Sequence, residues 1–437
     1  MPKKILYFVI FIFLIKCLLA SFIPIVADES YYYIWSAFPK LSYFDHPGMV
    51  SWLIYLGTHL LPIHNPIGIR LFFIILSTAT VFIWLTLLRK KNATLNQQFL
   101  FLALFVLNPL LGIGSIMATP DVPLVFFWSL AYYCFVRLFE TLKIRWYVFL
   151  GVSLGLGFCS KYHIVLFVLA GAVTLLVNKK WRLLQPIGIF ATLASGFVFS
   201  LPVLIWNYQN EWISFLFQIN HGFGRSNYNF EWTYSYLMGQ VLIMSPFVAL
   251  NLFRKRKASD NQIFSVSQII FFLTSTFKSV VEANWPIVAQ PHALKDYIFI
   301  EKTKRIRWTF YYWFFIYVSI AGILFSPAGS KILKNQLITN DVRPLVEAAR
   351  TYRPLYGPTY QISSLLSWES KVMVPKLRGF SRKDFYDSLE ISVPAAKKFF
   401  VLKDVGSDWP DYLSSAKFLK LDSFDNLALE LYQVTYD

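Results

Sequence analysis

Long apolar runs, joined by short connections that are alternately rich and poor in Lys and Arg, constrain this 437-residue chain more than any other feature. Eleven runs can be marked: 5–26, 66–88, 97–115, 122–139, 146–158, 163–178, 183–205, 232–253, 263–281, 285–300 and 308–326. About 20 consecutive apolar residues suffice to cross a bilayer as a helix. Three runs fit that template less well. The run at 146–158 is short and glycine-rich, 163–178 is short, and 285–300 carries His292, Lys295 and Asp296.

The connections give an orientation. Lys3–Lys4, Arg89–Lys90–Lys91, Arg137 to Arg145, Lys179–Lys180–Arg182, Arg254 to Lys257 and Lys302 to Arg307 fall at every second turn of the chain. The connections between them hold Asp28, Glu29, Asp45, Asp121, Glu211, Glu231 and Glu282 with few basic residues. Cytoplasmic loops collect Lys and Arg, so the N-terminus is expected inside. An odd number of spans then puts the C-terminus outside. The same alternation explains the net charge of +17. A nucleic-acid binder would gather that charge on one face, so no nucleic-acid partner is expected.

Only 15% of residues are charged, against about 25% in soluble domains. Residues 1–27 could serve as a secretory signal, but the further spans favour an uncleaved first helix. Cys17, Cys134 and Cys159 lie far apart inside apolar runs and read as small buried side chains. From about residue 327 charged and polar residues intermix with short alternating runs, as in Lys397 to Leu402. The expected architecture is therefore mostly α: a polytopic bundle over 1–326 and a small soluble α/β domain, periplasmic, over 327–437.

The outer connections hold the chemically capable side chains. The first, 27–64, contains Asp28-Glu29-Ser30-Tyr31-Tyr32 and Tyr43-Phe44-Asp45-His46-Pro47. A carboxylate at a membrane boundary must be solvated, paired or metal-bound. The bland alternative is a hydrated loop whose Tyr and Trp form the interfacial belt. Asp121, after Thr119-Pro120, could equally cap the next helix. Lys161 and Tyr162, in Ser160-Lys161-Tyr162-His163, place a cation between apolar segments, where it must pair or snorkel. Trp206-Asn207, His221 to Arg225 and Glu282 to Pro286 complete the set. A sugar held by phosphate on a lipid needs a carboxylate to deprotonate the acceptor hydroxyl. It also needs positive charge on the departing phosphate. The inventory fits, and the lack of a glycine-rich phosphate loop argues against a nucleotide cofactor or nucleotide-sugar donor.

These motifs, in this order, resemble the bacterial GT-C glycosyltransferases of the dolichyl-phosphate-mannose protein mannosyltransferase-like group. That group includes the lipid A aminoarabinose transferase and the galacturonosyl transferases of the lipid A core. The similarity rests on Asp28 to Tyr33, Tyr43 to Pro47, Thr119-Pro120-Asp121, Gly155-Leu156-Gly157 to Tyr162, Leu201-Pro202 to Asn207, Asn284-Trp285-Pro286, Tyr360-Gln361 and Arg382 to Asp387. It implies a GT-C fold and an inverting hexosyl or pentosyl transferase of the bacterial inner membrane. The donor would be a polyprenyl-phosphate sugar and the acceptor a lipid, a glycan or a protein of the envelope, with membrane lipids around the bundle. Asp28 resembles the superfamily's loop aspartate, the base, with Glu29 and Asp121 as further candidate catalytic carboxylates. Lys161, Tyr162, Arg225 and His46 fall to the lipid phosphate and substrate. Asp45 and His221 fall to a divalent metal ion, if one is used. Two positions depart from the group: His46 replaces a Lys of the aminoarabinose enzymes, and Gly48 stands where many relatives have a second Pro.

A different class, a transporter or flippase for lipid-linked sugar, would use the same cations and need no base. Transporters often carry internal repeats and a mid-bilayer site. This chain shows no repeat, and its polar clusters sit at the outer ends of runs, which favours the enzyme.

Overall fold

The computed structural model describes residues 2–60, 65–224, 227–254, 258–301, 303–324 and 342–436. It is mostly helical and divides into two compact units, Met1–Phe22 with Lys40–Tyr317 and Ile23–Pro39 with Val318–Asp437. The segment 23–39 thus clusters with the C-terminal residues and not with the neighbouring helices.

Among the described residues of the first unit four helices are long and apolar enough to cross a membrane: α1 (Lys3–Phe22), α4 (Pro66–Lys90), α6 (Asp121–Thr141) and α9 (Pro186–Gln209). At 1.5 Å per residue, 20 residues span about 30 Å. Their outward faces stay apolar: Tyr7, Phe11, Leu14 and Phe22 on α1 and Phe190, Leu193 and Phe197 on α9 are exposed. So much contiguous exposed hydrocarbon suits lipid and not water. Further helices are α3 (Met49–Tyr55), α5 (Leu95–Leu107), α7 (Ile144–Ser160), α8 (Leu166–Val177), α10 (Ile213–Phe223), α13 (Asp260–Ser275), α14 (Ala289–Ile300) and α15 (Thr303–Leu324). The run at 232–253 is a bent pair, α11 (Phe230–Met244) and α12 (Pro246–Leu252), turned by 105°. Ser245, at φ +67°, makes the bend, its hydroxyl accepts from Val248 N, and Pro246 opens the next helix.

Local signals set the ends that matter for the site. The Asn65 side chain caps α4 ahead of Pro66, and Thr94 with Gln97 forms a capping box for α5. Helix α5 stops at Asn108, whose Oδ1 accepts from Leu110 N and Leu111 N. The chain then turns through Gly114–Ile116 into Thr119-Pro120 and α6. The glycines of the 146–158 run have a use in packing. A Cβ on Gly155 would lie 2.6 Å from Gly196 O and 2.7 Å from Phe199 Cβ. Small residues let α7 and α9 approach closely, the device of membrane helix pairs.

Among the described residues the second unit contains α2 (Ala27–Ala37), α16 (Arg343–Thr351), α17 (Tyr360–Ser370) and four strands: β1 (Leu355–Tyr356), β2 (Lys398–Asp404), β3 (Lys417–Phe424) and β4 (Leu429–Thr435). The sheet order is β1-β2-β4-β3, with β1 parallel to β2 and the other pairs antiparallel. One face buries Leu402, Leu429 and Leu431 against Leu345 and Leu366; the other buries Phe399, Val401 and Val434 against Leu377 and Leu413. Helix α2 packs on α17 through aromatic pairs, Tyr31 with Tyr360 at 4.4 Å and Tyr33 with Trp368 at 5.0 Å.

Candidate active site

The first unit assembles its polar centre from residues far apart in sequence. Lys161 Nζ donates to Asp121 Oδ1 at 2.7 Å, and Asn284 Nδ2 donates to Asp121 Oδ2 at 2.7 Å. Asp121 and Lys161 are only 8% and 7% exposed. Asp121 is the first residue of α6, and the helix has no side-chain cap. Its carboxylate is spent on Lys161 and Asn284 instead. Removing one partner of such a buried pair strands the other charge, at a cost of about 3–5 kcal/mol. Three motifs named from the sequence, around Asp121, Lys161 and Asn284, therefore meet at one carboxylate.

Tyr162, next to Lys161, is tied to the α9–α10 corner. Its hydroxyl lies 2.8 Å from Ser214 Oγ and accepts from Asn207 Nδ2 at 3.4 Å. Asn207 is fully buried. The Ser160-Lys161-Tyr162 and Trp206-Asn207 motifs thus form one hydrogen-bonded group.

The segment Tyr43 to Pro47 is a turn closed by the bridge between Ser42 and Pro47 and by Tyr43 N donating to His46 O at 3.1 Å. Gln218 of α10 donates to Asp45 O at 2.6 Å, and Phe217 packs on Phe44 at 4.7 Å. Asp45 is 5% exposed and His46 half-buried. Gly48 has a local reason: a Cβ there would meet the Trp52 indole at 2.7 Å. That indole is fixed by donating to Lys40 O at 2.9 Å.

Beside Asp121 and Asn284 lies a cavity of about 280 Å³ whose wall also carries Ser77, Ser115 and Thr119. Behind that wall Lys16 of α1, 6% exposed, donates to Ser115 Oγ at 2.6 Å and to Ser77 Oγ at 3.2 Å. Ionisable residues inside membrane spans are costly and are functional candidates by default. Lys16 does not figure among the candidate site residues read from sequence, and Asn284 enters there only as part of the Asn284-Trp285-Pro286 motif, with no role assigned. The available signal for Lys16 was its position inside an otherwise apolar span.

In the second unit, Asp28 and Glu29 open α2. Glu29 is fully buried, and its Oε2 accepts from Val26 N at 3.2 Å, which satisfies one helix N-terminal donor. Tyr31 Oη accepts from Phe385 N at 2.9 Å, and the Arg382 guanidinium lies 4.9 Å from the Tyr360 ring centre. Tyr31, Tyr360, Arg382 and Phe385, from three separate motifs, thus form one contact group. Lys376 is fully buried between Asp384 at 2.7 Å and Asp387 at 2.6 Å.

The side chain of His221 and all of Arg225 lie outside the described residues. Among the described residues no group of three or more His, Cys, Asp or Glu gathers as a metal site. Asp45 is the described member of the expected ligand pair.

The family model for dolichyl-phosphate-mannose-protein mannosyltransferase matches residues 45–206. That stretch includes Asp45, His46, Asp121, Lys161 and Tyr162 and leaves out Asp28. The lipid A galacturonosyltransferase RgtD of Rhizobium johnstonii is 26% identical over 184 residues. That alignment spans 42% of this chain and 38% of the relative's length. The fold is similar to that of ArnT from Cupriavidus metallidurans bound to undecaprenyl phosphate, with a TM-score of 0.66 at 13% identity, covering 99% of this chain and 98% of ArnT. The apo state of ArnT matches with the same score at 12% identity. The family match, the galacturonosyltransferase relative and the two ArnT structures together support a glycosyltransferase of the GT-C superfamily.

Proposed function

We propose that this chain is an inverting membrane glycosyltransferase that moves a sugar from polyprenyl phosphate to a lipid A-type acceptor at the outer face of the inner membrane. The observation that carries the reading is the Asp121–Lys161–Asn284 group beside a cavity of about 280 Å³. An ammonium has three N–H donors, and among the described residues Lys161 spends one, on Asp121. The others are available to a phosphate oxygen, while Asp121 and Asn284 hold the side chain in place. The fold this chain shares with ArnT, crystallised with undecaprenyl phosphate, supports the same class of donor. The lipid A galacturonosyl transfer named for the relative supports the acceptor class.

In the proposed step a carboxylate takes the proton of the acceptor hydroxyl, and the acceptor oxygen attacks the anomeric carbon from the side opposite the phosphate. The carbon–oxygen bond to phosphate breaks, and polyprenyl phosphate departs with the bonding electrons as an anion. That leaving group is stable as formed and needs no general acid. The base is assigned to Asp28 by its resemblance to the superfamily's loop aspartate. Lys161 stabilises the charge that grows on the phosphate.

The test is sugar transfer by the purified chain, using extracted polyprenyl-linked sugars and lipid A, compared with Lys161→Met. Transfer by the wild type and its loss in the variant supports the reading. Donor binding without transfer by the wild type moves the assignment to a carrier of lipid-linked sugar.

A further inference from the structure

The first unit holds a second polar cavity, of about 730 Å³, at the C-terminal ends of α4 and α6. Asp121 stands at the N-terminus of α6 and Glu140, on this cavity, near its C-terminus. The two sites are therefore about 30 Å apart along the helix. Four lysines line the cavity, Lys90, Lys91, Lys180 and Lys295, together with three carboxylates, Glu140, Asp260 and Asp296.

The carboxylates are already engaged. Glu140 accepts from Lys90 at 2.6 Å and Arg137 at 2.7 Å. Asp260 accepts from Lys180 at 2.6 Å and Asn178 at 2.8 Å. Asp296 accepts from the Ser259 hydroxyl. Lys295 differs from the other cations. It is 4% exposed, and among the described residues its ammonium makes no hydrogen bond or ion pair. Its neighbours are the faces of Tyr132 and Trp84, with ring centres 5.6 and 5.9 Å from Nζ. Those rings attract a cation but accept none of its N–H donors in line. A desolvated ammonium with unused donors requires an acceptor, and the cavity it lines is where one can enter. Lys91 is exposed on the same wall.

We propose that this cavity binds a phosphate group, delivered as the headgroup of an anionic membrane lipid. Two observations favour a lipid over a free anion. The wall also carries Leu87, Val136, Phe139 and Phe299, hydrocarbon that a free phosphate would leave exposed. Lys90, Lys91 and Lys180 also belong to the basic connections that the sequence assigns to the cytoplasmic membrane surface, and Lys295 reaches the cavity from α14. Basic pockets between membrane helices on that side suit anionic headgroups. Lys295 supplies the buried contact, and Lys91 supplies a second charge at the rim.

The experiment measures binding of phosphatidylglycerol, phosphatidylcholine or inorganic phosphate to the purified full chain in detergent, by native mass spectrometry and thermal unfolding. The wild type is expected to retain phosphatidylglycerol and to unfold at a higher temperature with it, but not with phosphatidylcholine. One lysine is worth about fivefold in affinity, so Lys295→Gln and Lys91→Gln should each weaken retention by about that factor. Lys91→Gln changes an exposed side chain and keeps the test valid if the buried variant fails to fold. Equal retention by wild type and both variants overturns the proposal. Equal stabilisation by inorganic phosphate alone overturns the lipid as its source.

Discussion

Asp121 and Lys161, separated by 40 residues in sequence, form a buried ion pair of 2.7 Å in which Asn284 holds the second carboxylate oxygen. The pair neutralises two charges that the membrane boundary would otherwise penalise, and it leaves the ammonium with donors to spare. Asp121→Asn should therefore destabilise the fold by about 3–5 kcal/mol, because Lys161 stays buried without its counterion. The double variant Asp121→Asn with Lys161→Met should recover most of that stability and still transfer no sugar. Thermal unfolding and a transfer assay on the same preparations separate the two effects.

Lys16 reaches the cavity wall through Ser77 and Ser115. Hydrogen bonds to a charged group contribute about 1.5–3 kcal/mol. Lys16→Met, an apolar side chain of similar length, should leave membrane insertion intact and lower kcat/KM for transfer by about tenfold or more. Unchanged kinetics would make Lys16 a packing residue only.

Gly155 sets the approach of α7 and α9, since a Cβ there would lie 2.6 Å from a backbone oxygen of α9. Overpacking of this kind costs about 1–3 kcal/mol. Gly155→Ala should lower the unfolding temperature, whereas Gly222→Ala, where a Cβ would meet nothing within 4 Å, should not by this mechanism.

In the second unit burial pushes the Asp384 carboxyl up to about 6, against the pull of Lys376. The unfolded value is about 3.9. Because the folded value is the higher one, the native state binds the proton more tightly. This group's penalty is full above about pH 7 and is relieved as the pH falls through the folded value toward about 4. Asp384→Asn should flatten the stability of the chain across that window, measured as unfolding temperature against pH.

The parts of this account legible in the sequence are those with local signatures. The spans α1, α4, α6 and α9 stood out because apolar length alone marks a membrane helix. Asp121 and Lys161 stood out because charge at the end of an apolar run demands a partner. The identity of the partner was not legible, since Asn284 meets Asp121 across 163 residues. Lys16 was not legible as a site residue because its partners are serines 61 and 99 residues away. For Tyr31 and Tyr33 the sequence left an interfacial belt open as an alternative, and they pack on α17, a contact that no local pattern announces. Glu29 read as a candidate catalytic carboxylate, and its Oε2 is hydrogen-bonded to the backbone of its own helix start.

The central claim is transfer from a polyprenyl-phosphate donor with a carboxylate base. The most direct measurement gives purified wild type and Asp28→Asn a radiolabelled polyprenyl-phosphate sugar and lipid A, and follows label in donor and acceptor. The account predicts that both proteins bind the donor, that the wild type labels the acceptor, and that Asp28→Asn does not. Donor bound by both proteins with no label reaching any acceptor would contradict it.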